Sequence, residues 1–420
     1  MPELKFDLMF NTPAFLGSTP CGTKTVVSLR RDRESQQWIE SRNEVAFFPV
    51  DERGIRIPSL RGVLELWHRT LLGDRTSATV FAEQGKVFGS VDHGQGVSFR
   101  PLGRPRFEHR DLVYQGDERY ALVYMGYGPL QLLRLSAEEE VATSYNRSQC
   151  RNAVLVEPRA RFRFAVRGTE EQLRAVERSL ILLHLFGGLG GRSRRGWGSV
   201  EVETGCIDKL PKSGDLVAWF RSQLEKVWTP PETSDSAKPS FSAFSAHTRI
   251  CLTEPISGRP EEVILDFFRR FQYVRNYRRS ALARADHDVE MNDAGLASGT
   301  ISTVPARIAF GMPYTPASGR RWKIEYRGCL PGRANPEEAV TRRASPLFLK
   351  VLRLGPKLHM GVALFLDAEF FGDPRLQIGA NTGPELDQKL DPMPFPGYGA
   401  VEALLNGNWA ASFAKGIWTT

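Results

Sequence analysis

The chain has 420 residues, 41% hydrophobic and 25% charged, with a net charge of +8 and a pI near 9.3, a globular composition long enough for two domains. No apolar run reaches membrane-spanning length, which excludes a spanning segment. The five cysteines, Cys21, Cys150, Cys206, Cys251 and Cys329, are scattered without a C-x-x-C pair, which excludes a disulfide framework and a Cys-rich zinc site.

From the start, "MPELKFDLMF" lacks a basic segment followed by an apolar core, so the expected location is cytoplasmic. Leu4, Phe6, Leu8 and Phe10 alternate, which predicts a strand. In "IPSLRGVLELWHRTLLG", Leu60, Val63, Leu64, Trp67 and Leu71 fall on one stripe. That predicts a helix opened by Pro58 and Ser59 and closed by Gly73. Arg61, His68 and Arg69 fall on its other faces. Strands are predicted around Phe107–Tyr114 and Arg119–Tyr124. "RARFRFAVRG" predicts another, with Phe162, Phe164 and Val166 on one face and Arg161, Arg163 and Arg167 on the other. Thr169 and Gln172 form a T-x-x-Q capping box ahead of a helix that the following glycines stop. "WGSVEVE" predicts a strand. The order is β-α-β-β-α-β with insertions, the ferredoxin-like arrangement shared by RNA-recognition modules.

"TPPETSDSAKPS", residues 229–240, has linker composition and separates a domain over 1–228 from one over 241–420. The second half offers strands in "HTRICLT", "RRWKIEYR", "SPLFLKVLRL" and "KLHMGVALFLD", and helices in "PEEVILDFFRRFQYVRNYRRSALAR" and "AVEALLN". The expected fold is α+β, with two tandem ferredoxin-like (RRM-like, βαββαβ) domains carrying insertions.

The segment "HLFGGLGGRSRRGWGSV", from His184 to Val200, holds six glycines and three arginines. It does not match a Walker A loop, because no Lys-Ser/Thr follows the glycines. A dinucleotide fingerprint runs strand, glycines, helix, and here the order is reversed. What remains is a loop whose backbone can approach an extended ligand. Arg192, Arg194 and Arg195 supply charge and fork geometry, the glycines, Gly190 and Gly191 among them, bare backbone, and Trp197 a stacking face. Single-stranded RNA fits that set. A tight loop packed under the sheet, with its arginines in water, is the alternative.

No histidine pair stands at metal spacing, and His184, on an apolar helix end, reads as a core residue. The acidic cluster in "RADHDVEMNDAG" (Asp286, His287, Asp288, Glu290, Asp293) reads as a loop more readily than as a metal site, though one well-placed His or Asp would suffice as a general base. "RRFQYVRNYRRSALAR" interleaves Arg269, Arg270, Arg275, Arg278, Arg279 and Arg284 with Tyr273 and Tyr277, which suits either RNA or an acidic neighbour.

"LFGGLGGRSRRGWGSV" resembles the glycine-rich hallmark of the CRISPR RAMP superfamily. "FNTPAFLGS" (Phe10–Ser18), "IPSLRGVLELWHRTLLG" and "VFGS" (Val87–Ser90) resemble its opening strand, first helix and F-G-S turn. "RRASPLFLKVLRL" (Arg342–Leu354) is similar to the R-x-S-P-L strand of the first RAMP subunit of type III-B (Cmr) effector complexes. The chain departs from the pattern with Trp67-His68 where paired Trp is common, and with Trp197 where Phe is commoner. The resemblance implies a non-catalytic subunit that contacts the 3′ part of the guide RNA, target RNA and neighbouring RAMP subunits in antiviral defence. It implies no nuclease role; with no metal motif and no membrane-length apolar run in the chain, no cofactor, metal or membrane partner is expected. Expected RNA contacts are Arg61, Arg69, Gly190, Gly191, Arg192, Ser193, Arg194, Arg195, Trp197, Arg278, Arg279, Arg342 and Arg343. The rival functions are a guide-processing endoribonuclease, which shares the fold but carries its glycine loop near the C-terminus, and a purely structural capping subunit.

Overall fold

The structure is a computed structural model. It describes residues 1–17, 23–31, 38–46, 54–73, 75–110, 112–115, 118–126, 129–133, 147–150, 154–211, 215–231, 238–275, 310–312, 322–325, 343–369, 375–380, 393–394, 397–414 and 417–419.

The alternation of Leu4, Phe6, Leu8 and Phe10 becomes β1 (Glu3–Phe10), with Phe6, Leu8 and Phe10 buried. The striped segment becomes α1 (Ile57–Thr70), entered through Pro58 and burying Leu60, Leu64 and Trp67, while Val63 is half-buried. A helix not foreseen in the sequence, α2 (Ser77–Phe88), follows and is capped by the Thr76 hydroxyl. Next come β2 (Ser98–Pro101), β3 (Arg161–Arg167), α3 (Glu170–Phe186) and β4 (Val200–Glu203). The capping box forms as expected: Gln172 N–H donates to Thr169 Oγ1 at 3.2 Å, and Thr169 N–H donates to Gln172 Oε1 at 2.9 Å. These strands make one antiparallel sheet in the order β4-β1-β3-β2. Phe6 pairs with Phe164 across it, rings stacked at 5.6 Å. A further helix, α4 (Leu216–Glu225), packs Phe220 edge-on to Phe186 of α3.

The second half repeats this connectivity. β5 (Arg249–Leu252), α5 (Glu261–Arg275), β6 (Leu347–Gly355), β7 (Leu358–Phe365), α6 (Gly399–Leu405) and β8 (Ala411–Ala414) follow in chain order. Their sheet runs β8-β5-β7-β6, again fourth, first, third, second. The halves share their apolar interior. One buried cluster joins Phe10, Trp67 and Phe186 to Phe348, Val362 and Phe413.

Two sequence expectations need correction. Residues 119–124 are not a strand; they lie in the helix Glu118–Met125. Tyr120, Leu122 and Tyr124 mimic alternation, but Ala121, Leu122, Val123 and Met125 are all buried, which no alternating strand face gives, and Tyr124 meets Phe268 of α5 at 5.4 Å. The second strand of the first sheet is Ser98–Pro101, not 107–114. It ends in a proline, which a sheet tolerates only on an edge such as this one. Within 107–114, His109–Arg110 and the start of Leu112–Gln115 pair in small separate sheets. The hairpin Thr23–Arg31 with Trp38–Ala46 keeps register over nine pairs.

Candidate functional site

The glycine-rich segment links α3 to β4 and folds tightly against the residues after β1. Leu189 N–H donates to Gly198 O at 2.8 Å, Gly191 N–H to Phe15 O at 2.9 Å, and Gly198 N–H to Pro13 O at 2.8 Å. Thr12 Oγ1 donates to Gly196 O at 2.8 Å and accepts from Ser199 N–H at 2.9 Å. Gly190 has φ +90°, and a Cβ there would stand 2.5 Å from Phe15 O. Gly198 has φ +59°, and a Cβ would stand 2.0 Å from Leu189 O. Both positions demand glycine for conformation and space. The close approach they permit is to the chain's own backbone, while Gly190 itself stays exposed and Gly191 half-buried.

The three arginines part company. A turn closed by Arg195 N–H on Arg192 O puts Arg192, at φ +60°, on the exposed tip, with Ser193 half-buried beside it. Arg194 folds back onto the second half. Its guanidinium donates to Ser345 O and lies 4.3 Å above the Phe348 ring, while Leu349 N–H donates to Arg194 O at 3.0 Å. Arg195 Nη1 donates to Tyr124 O at 3.2 Å, and burial holds its pKa below the ordinary value. Two of the three forks therefore tie the loop to β6 and to the helix Glu118–Met125.

Trp197 does not present a face for a base. It is fully buried, 4.9 Å from Phe15, in a cluster with Ile264, Phe267 and Leu349. A large apolar ring beside several apolar neighbours gains more from burial than from solvent exposure.

On α1, Arg61 pairs with Glu65 at 2.7 Å and reaches Gly89 O at 3.4 Å. It therefore stands at the turn after α2, within the "VFGS" stretch. Arg69 is half-buried in the last turn. Trp67 packs between Phe186 at 6.2 Å and Phe348 at 5.2 Å. His68 lies edge-on to Phe88, and burial, then Arg178, pushes its pKa down to about 4. It is neutral near pH 7 and contributes no cation.

Arg278, Arg279, Arg342 and the acidic cluster 286–293 lie outside the described residues. Arg343 is in the short strand Arg343–Ala344. Among the described residues, no group of three or more His, Cys, Asp or Glu is placed to hold a metal ion. His184 is a core residue, as expected. Its Nδ1 accepts from Val202 N–H at 3.1 Å, and burial, then Lys350, pushes its pKa down to about 3.

Sequence reading missed Lys350. It is fully buried, and its ammonium donates to Leu183 O at 3.2 Å, Gly187 O at 2.6 Å and Val200 O. Burial pushes its pKa well down, yet three carbonyl acceptors match the three donors of the protonated amine. The available signal was a lone lysine in the apolar run "LFLKVL". The outer face of the first sheet was also not foreseen as a lattice of ion pairs. Arg161 bridges Asp7 and Glu203, Arg163 meets Asp7, and Arg167 and Arg100 meet Glu3. Its four strands present no aromatic residue on that face, so it is not a base-stacking platform.

Fold and loop together define a mixed α/β protein whose two antiparallel sheets meet around a glycine-rich turn. Residues 47–201 match the family model of the RAMP superfamily, a span from ahead of α1 through the glycine-rich loop into β4. Over that span the chain is RAMP-like. No curated protein matches its sequence. Among solved structures it is similar to Cmr1 from Pyrococcus furiosus in its apo form, at 16% identity and a TM-score of 0.46 over 89% of this chain and 90% of that one. It is also similar to a chain of the type III-B Cmr-beta complex bound to cognate target RNA, at 12% identity and a TM-score of 0.44 over 96% and 99%. No helix among the described residues is long and apolar enough to cross a membrane.

Proposed function

We propose that this chain is a non-catalytic, RNA-binding subunit of a type III-B CRISPR (Cmr) effector complex. In this reading it contacts the 3′ part of the guide RNA, target RNA and neighbouring RAMP subunits, in the cytoplasm, in antiviral defence. The observation that carries the reading is the RAMP match across residues 47–201, which takes in the glycine-rich loop with exposed Arg192 at its tip. Support for two ferredoxin-like domains comes from the strand order, fourth-first-third-second in both sheets. The segment 229–240 falls between those sheets and serves as their linker, joining domains 1–228 and 241–420. The outer sheet face carries no aromatic ring for base stacking, so RNA contact there would be to phosphates, and the loop end of the fold is the expected contact surface.

The test is a titration of the purified chain with fluorescent single-stranded RNA over a salt series. Co-purification with the other subunits of a type III-B complex accompanies it. Binding that weakens linearly in log salt, together with incorporation into the complex, is the expected result. Incorporation without RNA binding would favour the capping role.

A further inference from the structure

Where β2 stops at Pro101, the chain turns back along β3, and Leu102 N–H donates to Arg163 O at 2.8 Å. The turn and the strand enclose an open cleft of about 290 Å³, lined by Arg104, Arg106, Arg161 and Arg163 together with Pro101 and Pro105. We infer that this cleft binds the phosphodiester backbone of single-stranded RNA. The inference rests on the RNA-binding reading above and adds a second contact surface to it.

Charge supports it first. Four guanidinium groups face two carboxylates: Asp7 is shared by Arg161 at 3.4 Å and Arg163 at 3.3 Å, and Glu203 pairs with Arg161 at 2.7 Å. Arg104 and Arg106 are exposed and have no ion pair among the described residues. Two positive charges are left in excess, in fork geometry suited to phosphate oxygens.

Conformation supports it second. Pro101 and Pro105 fix φ on either side of Gly103, which turns at φ +77° with open space around its Cα. The arginines of the turn are thus presented on a short, restrained segment, and those of β3 are held by Asp7 and Glu203.

Placement supports it third. Arg161 pairs with Met9 and Phe10 pairs with Val200, so the Arg161 end of β3 and the start of β4 lie at one end of the sheet. The glycine-rich loop enters that end at β4, and the cleft lies there beyond β2. Three strand spacings separate these edges, roughly 15 Å. One strand of RNA can run from the Arg192 tip to the cleft. A protein partner would need an apolar centre to bury, whereas the aromatic residues lining this cleft, Phe162 and Phe164, are already buried in the core.

The test compares the full chain with the double variant Arg104→Ala/Arg106→Ala. A control, Arg174→Ala/Arg221→Ala, removes the same charge from exposed helix positions paired with Glu170 and Glu225. All three are titrated with a single-stranded oligouridine across a salt series and, separately, with poly-glutamate. Thermal melts confirm folding. The expected result is that the cleft variant lowers the salt slope for RNA by about 1.4, near 0.7 per lost phosphate contact, while the control leaves it unchanged. An unchanged slope in the cleft variant, with wild type still binding, overturns this inference and leaves the functional reading intact. So does a loss confined to poly-glutamate. No RNA binding by wild type overturns both.

Discussion

The Lys350 ammonium donates to the main-chain carbonyl of Gly187 at 2.6 Å, so a side chain of the second sheet closes the helix that leads into the glycine-rich loop of the first. The same nitrogen reaches Leu183 O, in the last turn of α3, and Val200 O, at the start of β4. A cation at a helix C-terminus meets orphan carbonyls and the negative end of the dipole. One residue thus couples the halves and sets both ends of the loop.

Lys350→Met keeps the length of the side chain and removes every donor. The three carbonyls then remain buried without their partner, and stability should fall by on the order of 3 kcal/mol. Urea unfolding monitored by tryptophan fluorescence checks this. A variant as stable as wild type would show that packing alone joins the halves.

Gly190→Ala should be destabilising by more than 1 kcal/mol, roughly the cost of forcing a side chain into positive φ with no room for it. Trp197→Ala should cost about 3–5 kcal/mol through the cavity it leaves. Trp197→Phe should retain RNA binding, because the ring fills space beside Phe15 rather than stacking on a base. Strong loss of RNA affinity in a well-folded Trp197→Phe would reverse that assignment.

Arg192 and Arg194 should separate in a paired experiment. Arg192→Ala, at the exposed tip, should lower the salt slope of RNA binding by about 0.7 and leave the melting temperature within a degree or two. Arg194→Ala loses its bond to Ser345 O and its stacking on Phe348, so it should lower stability. The reverse pattern would mean that the tip is structural and Arg194 meets the RNA.

Acid should destabilise the fold through its histidines. Burial holds His68 at about 4 and His184 at about 3, while the unfolded chain titrates near 6.5. Between those values the unfolded state binds protons that the folded state does not. Stability is therefore full above about pH 6.5 and is lost as pH falls toward 4, by up to about 1.4 kcal/mol per unit for each histidine. His184→Gln should flatten this dependence when unfolding is followed from pH 7 to 4.

Repeat-derived RNA incubated with the pure chain should stay intact, with or without Mg²⁺ or Mn²⁺, when followed on a denaturing gel. Cleavage that requires the metal and disappears in Asp288→Ala would move the endoribonuclease reading to first place.

Periodicity made much of the fold legible. The alternation in β1 and β3, the stripe of α1 and the capping box of α3 are local patterns, and each formed where local pattern placed it. Short or apolar-poor elements were not legible. "SFRP" looks like no strand until β3 supplies its partner, and the spacing of Tyr120, Leu122 and Tyr124 imitates a strand in a helix whose buried residues include Ala121 and Val123 between them.

By itself the sequence determined that this is a basic α+β chain in two halves, with a glycine-rich turn after a capped helix and a resemblance to RNA-binding RAMPs. Only the tertiary structure decided which loop residues are available to a partner. Glycine, arginine and tryptophan are equally suited to RNA and to a dense interior, and composition cannot choose between them. The choice was made by what the fold sets around each side chain: Phe348 lies under Arg194 and Phe15 beside Trp197, while Arg192 sits on the exposed tip.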